Sequence, residues 1–209
     1  MALSIRQKGM MQMSWEHARE KYKPENIKYL FIDEAPTPDD SHRYFYYEYV
    51  TEKDDLFLNL MKALYPVTYK SYLPVREIRK SKKIFLDMFM NNGCYLIDAV
   101  DDTMPLDSSR GQRVAEIKAN NENLLVKIKA VSNDKTKVIL LTSTVYFGCY
   151  DFLKSNGINV ANEKGESIYF PDRWNNEAFQ EQMKKLLLRI DWQNAAGKLK
   201  SSVKIIKKQ

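Results

Sequence analysis

The sequence contains little glycine, with seven residues in a chain of 209. Neither the phosphate-binding loop G-x-x-x-x-G-K-[ST] nor the dinucleotide motif G-x-G-x-x-G occurs in it. The nucleophile elbow G-x-S-x-G is absent as well. These absences exclude the usual P-loop nucleotide hydrolases, the glycine-motif dinucleotide enzymes and the serine hydrolases that depend on the elbow.

Metal-ligating side chains are also scarce. The two histidines, His17 and His42, are too few for a multi-histidine site, and the two cysteines, Cys94 and Cys149, lack zinc-ligand spacing. Both cysteines lie in apolar segments, so we expect buried reduced thiols, which are typical of a cytoplasmic protein. The sequence predicts no cofactor and no metal. One alternative stays open, a Mg²⁺ site built from carboxylates among Asp33, Glu34, Asp39, Asp40, Asp98 and Asp101.

Long apolar runs are missing too. None approaches the ~18 residues that a membrane-spanning helix needs, and residues 1–13 lack the continuous apolar segment of a secretory signal. We therefore expect no membrane partner.

The positive charge is concentrated at one end of the chain. The net charge is +6, yet residues 198–209 carry five lysines and no acidic residue, and without them 28 basic residues face 27 acidic ones. Lys204 and Lys207 in this tail are candidates for phosphate contacts. A solvated terminus and a short charge-guarded edge strand are the alternatives.

Short apolar strands alternate with amphipathic helices along the chain. Strands are predicted at residues 28–32, 94–100 and 138–141, with one or two more at 158–160 and 167–170. Helical apolar spacing occurs at residues 56–64, 78–89, 114–131, 143–153 and 179–190. The alternation predicts an α/β fold with three layers, α/β/α, around a mostly parallel central sheet.

The chain is predicted to divide into an N-terminal helical segment over residues 1–24, a single α/β domain over 25–194 and a basic tail over 195–209. The segment 65–72, with three tyrosines and one proline, is predicted to be an exposed loop.

Unusual residues follow three of the predicted strands. Glu34-Ala-Pro36 ends the first strand and precedes the aromatic run Tyr44-Phe-Tyr-Tyr47, Asp98 interrupts the second, and Phe170-Pro-Asp172 ends a late one. A buried carboxylate such as Asp98 needs a partner, which backbone N–H groups, water or a ligand can supply. Because the carboxyl ends of parallel strands share one edge of a sheet, we expect one ligand-binding cleft.

These motifs resemble the uracil-DNA glycosylase superfamily in order and spacing, over roughly residues 25 to 190. Asp33-Glu-Ala-Pro36 is similar to the G-E-A-P loop of its iron–sulfur branch, and Gly93-Cys-Tyr-Leu-Ile-Asp-Ala-Val100 to the strand that carries the base-binding Asn. Leu140-Leu-Thr-Ser-Thr-Val145 takes the place of the W-G-S turn, and Phe170-Pro-Asp172 that of the H-P-S loop.

The resemblance implies a uracil-DNA glycosylase-like fold and roles for particular residues. Water activation is expected from Glu34, Asp39 or Asp40. Base binding is expected from Phe45, Tyr47, Asp98, Phe170 and Asp172, and phosphate binding from Arg173, Lys204 and Lys207. DNA or a nucleotide is the implied ligand, while the oligomeric state is left open.

Three positions depart from the family pattern. Asp33 replaces the leading glycine, Asp98 replaces the base-binding amide, and Phe170 replaces the late histidine. In addition, the cysteines that hold the iron–sulfur cluster in that branch of the family are absent. The hypotheses are a divergent glycosylase acting on a base other than uracil, a non-catalytic relative that binds nucleic acid or nucleotides, and an orphan α/β protein of unrelated function.

Overall fold

The computed structural model describes residues 15–37, 43–105 and 107–192. Three strands form a parallel sheet: β1 (Tyr29–Asp33), β2 (Cys94–Asp98) and β3 (Lys137–Leu140). Their order is β2-β1-β3, so β1 is the central strand. The strands are almost wholly buried, as parallel strands covered on both faces must be. Their register pairs Asp33 at the end of β1 with Asp98 at the end of β2.

Helices fill the connections between the strands. The first, α1, covers residues 15–20 of the described chain. The others are α2 (Asp55–Leu64), α3 (Pro66–Ser71), α4 (Val75–Lys80), α5 (Lys82–Asn91), α6 (Arg110–Ala119), α7 (Asn121–Val131), α8 (Ser143–Ser155) and α9 (Asn176–Arg189).

The fold is α/β with the parallel open sheet of a three-layer α/β/α arrangement, as the sequence predicts. Phe31 of β1 packs against Phe89 of α5, with ring centroids 5.4 Å apart, and α5 in turn contacts α2 through Phe85 and Phe57. α9 packs on α2. A second group of helices, α6, α7 and α8, is joined by mutual contacts and reaches the sheet through β3.

The prediction of an exposed loop at residues 65–72 is wrong. The segment forms the short helix α3, with Pro66 in the first turn, where a missing N–H breaks no hydrogen bond. Its tyrosines face the protein: Tyr65 and Tyr69 are buried, and the ring of Tyr72 lies 5.5 Å from that of Phe85. Aromatic rings that pack on α5 therefore outweigh the loop signal of the proline.

The prediction of strands at residues 158–160 and 167–170 holds only for one bridge, between Val138 and Val160. Beyond it, the Asn162 side chain accepts from the Leu140 N–H (2.8 Å) and donates to the Leu140 carbonyl (3.2 Å). A side chain thus occupies the edge of β3 where another strand would pair. The N–H of Tyr169 donates instead to the side chain of Gln182 on α9 (2.9 Å).

Helices α6 and α8 approach each other closely at Gly148. A Cβ atom placed on Gly148 would lie 2.5 Å from Cγ2 of Ile117, well inside van der Waals contact. The Gly148 carbonyl also accepts from the Asn121 side chain at 3.1 Å. The absence of a side chain at this position permits the two helices to pack at this distance.

Candidate functional site

A cleft of about 340 Å³ opens at the carboxyl ends of β1 and β2. It brings together four of the residues that are predicted to have a catalytic or base-binding role: Glu34, Phe45, Asp98 and Phe170. The strand ends supply the carboxyl groups, and the segments around them supply the aromatic walls. The cleft lies where open α/β sheets bind ligands.

Glu34 is held from two helices. Its Oε2 accepts from Nη1 of Arg113 on α6 at 3.0 Å, and its Oε1 accepts a hydrogen bond from the hydroxyl of Thr144 on α8. Thr142 fixes the start of α8, because its hydroxyl accepts from the N–H of Val145 at 3.2 Å. The predicted turn from β3 into a helix is therefore confirmed, and it positions Thr144 against Glu34.

Arg113 is a site residue that the sequence analysis did not identify. Ser109 and Gln112 form a capping box that starts α6, which places Arg113 in its first turn. The Arg113 guanidinium also donates to the carbonyls of Pro105 (3.2 Å) and Ser108 (3.3 Å), so it ties the loop after β2 to Glu34. The capping box is visible in the sequence, whereas the direction of the arginine depends on how α6 packs.

Asp33 and Asp98 are neighbouring carboxyl groups at the same strand ends. Burial raises the pKa of Asp33 well above its usual range, and the charges of Asp98 and Glu34 raise it further. Burial also raises the pKa of Asp98, to about 6, against the lowering effects of Arg19, Lys127 and the Tyr44 hydroxyl. We call Asp33, Glu34 and Asp98 the strand-end cluster.

The surroundings of Asp98 fix its position. The Tyr44 hydroxyl donates to Asp98 Oδ2 at 3.3 Å, and the ammonium group of Lys127 donates to the Asp98 carbonyl and to Asp101 Oδ1, both at 2.8 Å. A side-chain hydroxyl therefore supplies the partner that the buried carboxyl needs.

The two aromatic residues predicted to stack on a base have different places. Phe45 lines the cleft, but only 7% of it is exposed, and its ring packs between Phe57 and Phe89 with centroids 5.5 Å away on each side. Tyr47 is not among the residues that line the cleft, and its ring packs edge-on against Tyr44. Phe45 thus forms part of a rigid apolar wall.

The late loop contributes Phe170 to the cleft, where 43% of this residue is exposed. Asp172 is directed elsewhere: its Oδ1 accepts from the N–H groups of Trp174 (2.8 Å) and Asn175 (2.9 Å) just before α9. Arg173 is exposed, and its guanidinium stacks over the Trp174 ring at 5.0 Å. Neither Asp172 nor Arg173 lines the cleft. Asp39, Asp40, Lys204 and Lys207 lie outside the described residues.

A second group of buried charges adjoins the cleft through Asp54, which is one of its lining residues. Arg79 donates to Asp54 Oδ1 at 2.8 Å, and Nζ of Lys82 lies 4.0 Å from Oδ2 and 4.3 Å from the centre of the Phe57 ring. Burial lowers the pKa of Lys82 to about 7, although Asp54 opposes that shift. We call Asp54, Arg79 and Lys82 the Asp54 cluster.

Another cavity, of about 390 Å³, lies beside Lys137, Lys154 and Arg189. Two of its basic groups already have partners: Arg189 pairs with Glu163 and Glu166, and Lys137 donates to the carbonyl of Ile190. The strand-end cleft is the better candidate site.

Among the residues that the structure describes, no group of three or more histidine, cysteine, aspartate or glutamate side chains is arranged to hold a metal ion. Cys94 and Cys149 are both free and buried, as predicted. Within that same part of the chain, every helix is too short or too polar to cross a lipid bilayer. No family model, no curated protein and no solved structure matches the chain.

Proposed function

We propose that the strand-end cleft binds a nucleobase and that the protein hydrolyses the N-glycosidic bond of the bound nucleotide in DNA. The observation that carries this proposal is the meeting of Glu34, Asp98, Phe45 and Phe170 around one cleft. Carboxyl groups provide hydrogen bonds for the edge of a base, while aromatic walls suit its faces. A cleft of about 340 Å³ lies in the range of small-molecule sites.

In this mechanism the target nucleotide leaves the stack and its base enters the cleft. Glu34 accepts a hydrogen bond from a water molecule and takes its proton as the water oxygen bonds to the anomeric carbon. The bond between that carbon and the base nitrogen breaks, and its electron pair leaves with the base, which then takes up a proton. Arg113 and Thr144 keep the Glu34 carboxylate in a single orientation during the attack.

A second candidate function is nucleobase binding without hydrolysis. The contacts of Glu34 favour it, because Arg113 and Thr144 already donate hydrogen bonds to its two carboxylate oxygens, which leaves less room for a water molecule at either oxygen. The same cleft and the same ligand class serve both candidates, so only activity separates them.

The test uses single-stranded oligonucleotides that each carry one altered base, with alkali-labile abasic sites as the product and strand binding measured in parallel. We expect product with the wild-type protein and its loss in Glu34→Gln. The matched control is Glu181→Gln, at an exposed position on α9. Binding without product on any base would establish the second candidate, and neither binding nor product at low salt would overturn both.

A further inference from the structure

We infer that the carboxyl group of Asp33 contacts the Watson–Crick edge of the bound base, donating one hydrogen bond to it and accepting another. The inference rests on the proposed nucleobase site and names the residue that selects the ligand. Asp33 is not assigned this role by the family resemblance, in which its position belongs to a glycine.

The first observation is the position of Asp33. It is the last residue of β1, it lines the cleft, and its register partner is Asp98. Its Oδ1 is shielded from solvent and has no hydrogen-bond partner among the described residues. A buried polar atom without a partner is costly, and a ligand in the cleft can supply the missing bond.

Asp98 is less suited to this contact, since its Oδ2 already accepts from the Tyr44 hydroxyl. The Lys127 ammonium group also holds the Asp98 backbone on the side of α7. Of the two neighbouring carboxyl groups, Asp33 is the one with an oxygen that is both buried and without a hydrogen-bond partner among the described residues.

The second observation is the charge around Asp33. Burial and the negative charges of Asp98 and Glu34 favour its neutral form, and the Glu34 N–H opposes them. Other ionisable groups line the same cleft, namely the carboxyl groups of Asp54 and Asp55, the Tyr44 phenol, and the cations Arg43, Lys53 and Arg113. None of these is among the groups that shift the pKa of Asp33, and Arg113 is engaged by Glu34.

A neutral carboxyl group has an O–H donor and a carbonyl acceptor side by side. It therefore presents the same pattern as the amide that the family uses to bind a base. A lactam edge, as in uracil or hypoxanthine, satisfies both groups, and so does the amidine edge of cytosine or adenine. A base methylated on the ring nitrogen of that edge leaves one of them unpaired.

The experiment measures equilibrium binding of deoxyuridine, deoxycytidine, deoxyadenosine and deoxyinosine to the full chain by titration calorimetry. The tightest of them is then compared with its analogue methylated on the Watson–Crick ring nitrogen. We expect the methyl group to weaken binding to the wild-type protein by about tenfold, the usual effect of a buried polar group left unpaired.

Two variants separate the role of the Asp33 carboxyl from a structural one. Asp33→Asn keeps a donor and an acceptor, so we expect it to bind the parent nucleoside within about threefold of wild type and to retain the methyl discrimination. Asp33→Leu has neither group, so parent and methylated nucleosides should bind it equally. Raising the pH until Asp33 ionises should weaken binding to the wild type but not to Asp33→Asn.

Equal binding of parent and methylated nucleosides to the wild-type protein would overturn the inference and leave the nucleobase site standing. That comparison needs no variant, so it decides the matter even if Asp33→Leu fails to fold. Failure of all four nucleosides to bind would overturn the nucleobase site and the inference with it.

Discussion

The two clusters of buried charge beside the cleft differ in how their charges are balanced. In the Asp54 cluster, one carboxylate stands between two cations, with Arg79 at 2.8 Å and Lys82 at 4.0 Å. In the strand-end cluster, the Asp33 carboxyl group faces the negative charges of Asp98 and Glu34. The first cluster offsets only part of its charge within the protein, since Asp54 Oδ2 and Lys82 Nζ have no hydrogen-bond partner among the described residues, whereas the second, with charges of one sign, gains from a proton or a ligand. Buried charge alone therefore does not indicate a binding site. A buried group whose neighbours carry charge of its own sign does.

The largest effect is expected from breaking the Asp54 cluster. Asp54→Ala leaves Arg79 and the buried Lys82 without their carboxylate, and removing one partner of a buried ion pair costs about 3–5 kcal/mol of unfolding free energy. Urea denaturation followed by tryptophan fluorescence measures this loss. The control is Glu77→Ala, because Glu77 pairs with the exposed Lys80 and should change stability by about 0.5 kcal/mol or less. An equally small loss of unfolding free energy in Asp54→Ala would show that Asp54 does not stabilise the buried charges of Arg79 and Lys82.

The next effect comes from Lys82. Its pKa is about 7 in the folded protein against 10.5 ordinarily, so the folded chain releases this proton at lower pH than the unfolded chain. Lys82 therefore destabilises the fold most at or below pH 7, and the penalty shrinks as the pH rises toward 10.5. Relative to Lys82→Met, the wild-type protein should gain about 3 kcal/mol between about pH 7 and 9.5. If the unfolding free energies of the wild-type protein and Lys82→Met changed in parallel with pH over this interval, the lowered pKa of Lys82 would be contradicted.

Asp98 should show the opposite dependence on pH. Its pKa is raised to about 6 from 3.8, so the unfolded chain loses this proton first and stability falls as the pH rises between these values. Relative to Asp98→Asn, the wild-type protein should lose about 2 kcal/mol between about pH 4 and 7. Denaturant unfolding at several pH values measures the difference. An unchanged difference across that range would mean that Asp98 is ionised in the folded protein at pH 4.

The smallest effect is expected for Tyr44→Phe, which removes the hydroxyl that donates to Asp98. Loss of one such hydrogen bond costs about 1 kcal/mol. Because the bond favours the ionised carboxyl group, the pKa of Asp98 should rise above about 6 in the variant. A carbon NMR titration of the aspartate carboxyl groups measures that pKa. If it stayed at the wild-type value, the hydroxyl would have no part in tuning the strand-end cluster.

Local patterns were enough to predict the strands, most helices and one side of the cleft. The apolar run before Asp33 and the run containing Asp98 predict buried parallel strands, and parallel strands bring their carboxyl ends together. The partners of these carboxyl groups come from elsewhere in the chain: Arg113 reaches Glu34 across 79 positions and Tyr44 reaches Asp98 across 54. Such contacts depend on how the helices pack, so the spacing of residues within one segment does not predict them.

The wrong predictions have the same origin. Residues 167–170 have the composition of a strand, but the side chain of Asn162 takes the hydrogen bonds of Leu140 that a further strand needs. The segment 65–72 has the composition of a loop, but its tyrosines pack on α5. In each case a tertiary contact outweighs the preference of the segment itself.

The close contact at Gly148 couples a distant point of the helical layer to the cleft. Ile117 and Arg113 share α6, and Gly148 and Thr144 share α8, so the spacing of the two helices also sets the spacing of the two groups that hold Glu34. A methyl group at position 148 would force α6 and α8 apart. It would thereby move Arg113 and Thr144 away from each other without a contact of its own to any residue of the cleft. The absence of a side chain at Gly148 thus determines the positions of the two groups that hold Glu34, although Gly148 itself lies outside the cleft.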